Sequence, residues 1–272
     1  MDPVHITVRE SRDSAANTES TAVILALDGT GSMRETLPYL AKEGLGTTFE
    51  GIIERKPVSD PHVLLSMFGD VDWDRNPLVV GQFESEVGPL TAYLGKLVFQ
   101  GGGGNDHESE DLIWWFAGQK TSIDCFEKRS KKGYLFTIGD EEFPDRMTVD
   151  QIHRFLDADA SVGGNVSAKE SLAMAQRMYH VFHIVVEEGD YSRRRLTQTM
   201  SSWQAHLGQF VIPLSDKTKL AEVIISTLQV HSGSDKDKVA KSWDGSTNLV
   251  VSHAIKDLAV GAKSDGKVVR LS

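Results

Sequence analysis

One short segment constrains the fold more than any other part of the chain. Residues 22–27, AVILAL, are apolar without interruption, and the next five residues, 28–32, are DGTGS. A continuous apolar run that is bounded by turn residues is typical of a parallel β-strand covered on both faces. The segment therefore predicts a central buried strand that ends abruptly in a polar, glycine-containing loop.

The rest of the chain alternates between apolar strand patterns and helical patterns. The predicted strands after the first are 62–70, 78–84, 133–140, 179–189 and 208–214. The predicted helices are 33–56, 87–98, 108–118, 148–158, 192–206 and 216–232. This alternation predicts an α/β sandwich with a mostly parallel sheet.

Composition shifts suggest three parts. Residues 1–19 are polar and predict a loose N-terminal arm, residues 20–232 carry the α/β pattern, and residues 233–272 begin with the polar stretch SGSDKDK as a linker. A helical extension is expected within the last part, because its apolar positions share one helical face. These positions are Leu249, Val250, Ala254, Ile255 and Leu258. We expect this helix to pack on the domain, with docking of a partner as the alternative.

Charge and cysteine content narrow the class of partner and the compartment. The 272 residues include 39 acidic and 29 basic side chains, a formal net charge of −10, which disfavours nucleic acid or anionic membrane as a partner. Cys125 is the single cysteine, so an intrachain disulfide is excluded and a reducing compartment is expected. The sequence has neither a signal-peptide pattern nor an apolar run long enough to span a membrane. We expect a cytoplasmic protein.

Oxygen-bearing side chains follow several of the predicted strands. Asp28, Thr30 and Ser32 follow the first strand, Asp140 follows the strand at 133–140, and Asp106 follows the glycine run 101–104. Ligands of open α/β sheets gather beyond the carboxyl ends of the strands. Alternate residues of an extended loop point the same way, and an oxygen-only donor set suits a hard cation. The sequence predicts a metal site here, although serine and threonine also suit helix caps.

Four ordered motifs carry a resemblance to a known family. LALDGTGSM resembles the D-x-S/T-x-S motif of the von Willebrand factor A (vWA) domain, which forms its metal-ion-dependent adhesion site (MIDAS). FGDVDWDRNPLVVGQFES, GGGGNDHESEDL and GYLFTIGDEEF resemble later parts of intracellular, prokaryotic-type members, so the match covers about residues 20–230. It implies a Rossmann-like three-layer sandwich: a six-stranded, mostly parallel sheet with one antiparallel edge strand, and helices on both faces.

The resemblance also implies roles for the site residues. Thr30 and Ser32 would bind the ion directly, Asp28 would act mainly through water or hydroxyl contacts, and Asp140 would be the acid of the third loop. The middle loop of the family usually supplies a threonine. This chain has Asn105 and Asp106 there, and Asp106 is the expected ligand.

Two further residues would support the ion without binding it directly. The ion is expected to be a divalent hard cation. The supporting residues are Asn105, beside the expected middle-loop ligand, and Asp70, after the second strand. The expected ion is Mg²⁺, with Mn²⁺ or Ca²⁺ as alternatives.

The function that the resemblance implies is a non-enzymatic, metal-dependent protein-interaction module, acting as an adaptor or assembly component. An acidic side chain of a protein partner would complete the shell of the ion. Relatives of this type are associated with AAA-type ATPases or their substrates in bacteria. Two alternatives stay open: a structural assembly subunit braced by the metal, and a metal-dependent phosphohydrolase.

Two enzyme classes are disfavoured by particular positions. A haloacid-dehalogenase phosphatase needs a nucleophilic aspartate where this chain has Ala26. The glycine run lacks the Gly-Lys-Ser/Thr ending of a phosphate-binding loop. Arg193–Arg195 predict the solvated face of a helix, with an acidic partner as the alternative. Glu108, Glu110 and Asp111 predict the start of a helix, where negative charge suits the helix dipole.

Overall fold

The computed structural model describes residues 2–36, 39, 45–94 and 107–260. The strands in these ranges are β1 (Arg9–Ser11), β2 (Thr21–Asp28), β3 (Pro61–Phe68), β4 (Leu78–Glu84), β5 (Thr121–Ile123), β6 (Gly133–Gly139), β7 (Arg146–Met147), β8 (Val166–Ser167), β9 (Tyr179–Val186) and β10 (Val211–Leu214). The α-helices are α1 (Leu45–Arg55), α2 (Val87–Leu94), α3 (Glu110–Gln119), α4 (Asp124–Glu127), α5 (Val149–Phe155), α6 (Ala168–Gln176), α7 (Ser192–Leu207), α8 (Leu220–His231), α9 (Lys236–Lys241) and α10 (Gly245–Ala254).

Six strands form the central sheet, in the spatial order β10-β9-β6-β2-β3-β4. All neighbouring pairs are parallel except β3 and β4, so β4 is an antiparallel edge strand. The predicted fold class is confirmed: a six-stranded, mostly parallel sheet with one antiparallel edge strand and helices on both faces. Because β2 is central, the loop that follows it lies between the loops that follow β3 and β6.

Residues 22–27 of β2 are all apolar because both faces of the strand are covered. Val23, Leu25 and Leu27 belong to one core, which also contains the buried residues of α1 and α8. Ala22, Ile24 and Ala26 belong to the other core, which contains α3 and α6 and the Trp203 end of α7. The uninterrupted apolar run in the sequence is thus explained by two cores rather than by one.

The predicted strands are observed, with shifts of a few residues at their ends, whereas the first predicted helix differs. A short 3-10 turn, Gly31–Met33, follows β2, and α1 begins only at Leu45. Residues 37, 38 and 40–44 of the predicted helix lie outside the described residues, as do residues 95–98 of the helix predicted over 87–98. No helix within the described ranges is long and apolar enough to cross a membrane.

The N-terminal arm is not loose, which corrects the prediction for residues 1–19. Residues 9–11 form β1, which pairs with β5 in a parallel two-stranded sheet. Side chains reinforce this pairing, because Arg12 Nη1 donates to Asp124 Oδ1 at 2.9 Å and Arg129 Nη1 donates to Asp13 Oδ2 at 2.7 Å. A three-residue strand is too short to show a periodic pattern, so it could not be predicted from the sequence.

The C-terminal extension packs on the domain, as expected, but two details differ. Part of the predicted linker is helical, since α9 spans Lys236–Lys241, and Leu249 is 71% exposed rather than on the packed face. The other four predicted positions pack into or against the core of α1 and α8. Trp243 also fixes this segment, because its indole nitrogen donates to Ser226 Oγ at 2.8 Å and the Arg55 guanidinium stacks 3.5 Å from its ring centroid.

Candidate metal centre

The loop after β2 is held in a fixed shape by Asp28. Its Oδ1 accepts hydrogen bonds from the Thr30 amide at 2.8 Å and from Thr30 Oγ1 at 2.6 Å. The Gly29 amide donates to the Phe68 carbonyl at 2.8 Å, and a Cβ at position 29 would lie 3.0 Å from Met67 Sδ and 3.2 Å from that carbonyl oxygen. Glycine is therefore needed at position 29 for the loop to follow the end of β3 so closely.

Asp140 joins this loop from the end of β6. Ser32 Oγ donates to Asp140 Oδ1 at 2.6 Å, and the Ser32 and Thr30 hydroxyl oxygens are 3.4 Å apart. The Tyr191 amide, from the loop after β9, donates to Asp140 Oδ2 at 2.8 Å. Asp28, Thr30, Ser32 and Asp140 therefore form one chain of hydrogen bonds at the carboxyl edge of the sheet, which we call the oxygen chain.

The loop after β9 also packs closely against the oxygen chain through its backbone. The Asp190 amide donates to the Ser32 carbonyl at 3.0 Å. Any side chain at Gly189 would collide with the Asp140 side chain. The loop after β9 therefore packs directly against the two oxygen-bearing loops.

The other predicted site residues, Asn105, Asp106 and Asp70, are not part of the oxygen chain as described. Asn105 and Asp106 lie outside the described residues. Asp70 is buried in the loop after β3, where its Oδ1 accepts from the Asp72 amide at 2.8 Å and its own amide donates to Asp74 Oδ2 at 2.9 Å. The structure thus shows Asp70 shaping its own loop next to the oxygen chain.

The predicted acidic helix start is observed, since α3 begins at Glu110, and two of its glutamates are buried beside Asp28. Glu108 and Glu110 are 3% and 1% exposed. From the position that a Cβ on Gly139 would take, Asp28 Oδ2 lies at 3.4 Å and Glu110 Oε1 at 3.6 Å. We call Asp28, Glu108 and Glu110 the buried acid group. The sequence feature that indicates this burial is the LIWWFA run after these acids, because a helix that is apolar all round is buried.

Burial dominates the electrostatics of the buried acid group. Burial and then the charge of Asp140 raise the pKa of Asp28 to about 8. Burial, followed by the charges of Asp28 and other acids including Asp70, raises the pKa of Glu108 to about 11. The pKa of Glu110 is also raised well above its usual range, by burial first. Ionised carboxylates so placed repel one another unless protons or a cation neutralise them.

Unpartnered oxygens indicate where a cation would fit. Among the described residues, Asp28 Oδ2, Glu108 Oε2 and Glu110 Oε2 are buried and have no hydrogen-bond partner. Buried polar atoms are normally satisfied, so each of these requires an explanation. The described ranges contain no group of three or more His, Cys, Asp or Glu side chains arranged around a metal position, so a site here depends on the Thr30 and Ser32 hydroxyls as well. The oxygen-only donor set fits a hard cation.

Comparisons with known proteins find solved structures of similar fold but assign the chain to no family. No family model matches the chain, and no curated protein matches it either. Among solved structures, the pilus adhesin SpaC from Lactobacillus rhamnosus GG in its open conformation matches with a TM-score of 0.50 at 12% identity, over 83% of this chain and 30% of SpaC. A von Willebrand factor type A protein from Catenulispora acidiphila matches with a TM-score of 0.44 at 15% identity, over 78% of this chain and 42% of that one.

These similarities bear on the fold alone. This chain spans less than half the length of either protein. The chain shares its fold with part of SpaC, and in this chain that fold is the six-stranded, mostly parallel sheet with one antiparallel edge strand.

Proposed function

We propose that this chain is a metal-dependent protein-interaction module that binds an acidic side chain of a partner through a divalent cation. The observation that carries the proposal is the oxygen chain of Asp28, Thr30, Ser32 and Asp140, next to the unpartnered Asp28 Oδ2. SpaC is described as a pilus adhesin, and an adhesive role for a neighbour of the same fold supports an interaction role here.

The described side chains suggest distinct roles in holding the ion. Thr30 and Ser32 would ligate it directly, and Asp140 would take part through the oxygen that now accepts from Ser32 Oγ. Asp28 already binds the Thr30 hydroxyl, so it would orient that ligand and balance charge. A bound Mg²⁺ (or Mn²⁺ or Ca²⁺) would leave a coordination position for a carboxylate of the partner. Asp106 remains the proposed ligand from the middle loop.

We further propose a cytoplasmic location and a non-enzymatic role, with an AAA-type ATPase or its substrate as the expected kind of partner. Cys125 is buried and forms no disulfide, which agrees with a reducing compartment. Ala26, the position where a haloacid-dehalogenase nucleophile would stand, is fully buried in the sheet. A phosphohydrolase would instead release phosphate from model esters in Mg²⁺ or Mn²⁺, which a colorimetric assay detects.

The test is affinity capture from a native lysate in Mg²⁺ and again in chelator, with Asp28→Ala as the site variant and Asp124→Asn as the control. Asp124 is as buried as Asp28 but lies in the β1–β5 region. We expect proteins that are retained by the parent and by the control in Mg²⁺, and released by chelator or by Asp28→Ala. Isothermal titration with Mg²⁺ on the same variants measures ion binding directly. Equal retention and equal heats for all variants, with or without Mg²⁺, would contradict the proposal.

A further inference from the structure

Three consecutive arginines are exposed on the helix that begins beside the oxygen chain. Arg193, Arg194 and Arg195 lie at the start of α7, where the backbone at Arg195 (φ −134°, ψ 28°) kinks the helix, and all three are exposed. Positive side chains at a helix N-terminus oppose the helix dipole, so helix stability does not explain this placement. We call Arg193–Arg195 the arginine rim.

Hydrogen bonds hold the arginine rim on the same loop that contacts the site. Arg193 Nη2 donates to the Glu188 carbonyl at 2.7 Å, and Arg194 Nε donates to the Asp190 carbonyl at 2.9 Å. The Arg195 guanidinium lies 5.0 Å from the centroid of the Tyr191 ring. The amides of Asp190 and Tyr191 in turn donate to Ser32 and Asp140. Tyr191, which contacts the oxygen chain, is therefore separated from Arg193, Arg194 and Arg195 by one, two and three intervening residues.

The charge of the arginine rim contrasts with that of the whole chain. The formal net charge is −10, and the loop that precedes the rim contacts the acidic site through the Tyr191 amide and Asp140 Oδ2. The overall negative charge would repel a polyphosphate or a nucleic acid strongly. A protein segment with a few carboxylates carries less charge and can be bound by the arginines of the rim alone. Guanidinium groups also bind carboxylates in a bidentate manner.

We propose that the arginine rim binds an acidic segment of the partner protein, so that one carboxylate reaches the ion and neighbouring carboxylates pair with Arg193 and Arg194. This inference rests on the proposed function, because it names the chemistry of the partner that the metal site would hold. It predicts that the preferred sequence around the ion-binding Asp or Glu carries further acidic residues on one side.

The experiment measures the fluorescence anisotropy of a short, fluorescein-labelled, Glu-rich peptide in Mg²⁺ at moderate salt. The test variant is Arg193→Gln/Arg194→Gln. The matched control is Lys131→Gln/Arg177→Gln, which removes two exposed charges next to the starts of β6 and β9, at the opposite edge of the sheet. We expect the test variant to weaken binding about fivefold and the control to bind like the parent. Arg193→Lys/Arg194→Lys should recover part of the loss.

The outcomes separate this inference from the proposed function. If Arg193→Gln/Arg194→Gln and the parent bind the Glu-rich peptide equally well, the proposed role of the arginine rim is wrong, even if chelator abolishes binding. Affinity that depends on Arg193 and Arg194 but is unchanged by chelator supports the rim and contradicts the metal-dependent function. Failure of the parent to bind the Glu-rich peptide, or tighter binding of a single-stranded oligonucleotide, also overturns the inference. Melting temperatures of the variants confirm that they are folded.

Discussion

Two groups of buried carboxylates in this protein have opposite electrostatic environments. In the β1–β5 region, Asp124 is 1% exposed, yet Arg12 Nη1 lies 2.9 Å and Lys128 Nζ 2.6 Å from its carboxylate oxygens. Asp13 in the same region receives two hydrogen bonds from Arg129, which hold its pKa well below the usual range. We call these five residues the paired cluster.

The buried acid group has comparable burial, but the described residues give it no such partners. Asp28 is also 1% exposed, and among the described residues no Lys or Arg forms an ion pair with it or with Glu108 or Glu110. The pKa values of its members are therefore raised. Burial alone does not determine the charge state of a carboxylate, because the neighbouring cations decide whether its charged form is favoured. A group of acids that has no cationic partner among the described residues is the place where a bound cation would contribute most.

The largest expected effect distinguishes the two groups by their response to Mg²⁺. An ion at about 100 times its Kd stabilises the folded state by about 2.7 kcal/mol, which raises the melting temperature by about 5–10 °C for a chain of this size. We expect this rise for the parent and for Asp124→Asn, and none for Asp28→Asn. Differential scanning fluorimetry with Mg²⁺ and with chelator measures it. The same rise in both variants would remove the proposed distinction.

A smaller effect is expected when a cation is removed from the paired cluster. Arg129→Ala removes the two guanidinium hydrogen bonds to Asp13 and the hydrogen bond from Arg129 to the Ser20 carbonyl. Breaking a largely buried pair is costly, and we expect the melting temperature in chelator to fall by about 5 °C. Arg146→Ala is the control, because Arg146 pairs with Asp145 on the surface, where both side chains are more than half exposed. Equal losses in the two variants would contradict this assignment.

The oxygen chain was predictable from sequence because strand order alone brings its loops together. Asp28, Thr30 and Ser32 follow β2, and Asp140 follows the neighbouring strand β6. Carboxyl ends of adjacent parallel strands share one edge whatever the details of the helices. The six-stranded sheet was predictable for the same reason, since its long strands carry strong apolar patterns.

What the sequence did not reveal depends on tertiary packing. Glu110 is consistent with a helix start by local rules, and the packing of α3 on the end of β3, where the Ser109 amide donates to the Gly69 carbonyl at 3.2 Å, places it next to Asp28. Similarly, Leu249 fits the apolar face of α10 by spacing, yet the helix is rotated so that it is exposed. Helical periodicity defines a face but not its orientation to within one residue.

Glu110, a member of the buried acid group, provides the next prediction. Glu110→Gln keeps the shape of the side chain and adds an amide donor near the unpartnered Asp28 Oδ2. In chelator we expect a melting temperature at or above that of the parent. In Mg²⁺ we expect the ion-induced rise to shrink by about 2–4 °C, because one negative charge near the ion is lost. A loss in chelator as large as that of Arg129→Ala would show that Glu110 is already paired.

The smallest expected effect is the acid sensitivity of the paired cluster. Burial raises the pKa of Asp124, but hydrogen bonds from Lys128, from the Asp13 amide and from Arg12 outweigh it and lower the pKa to about 2. Since the pKa is lower in the folded state, the stabilisation is complete above the unfolded value of about 3.9 and is lost as the pH falls towards 2. Asp124→Asn cannot titrate at this position. The difference in melting temperature between the parent and Asp124→Asn should therefore shrink between pH 6 and pH 3, and a constant difference would mean that the cations do not act through the Asp124 charge.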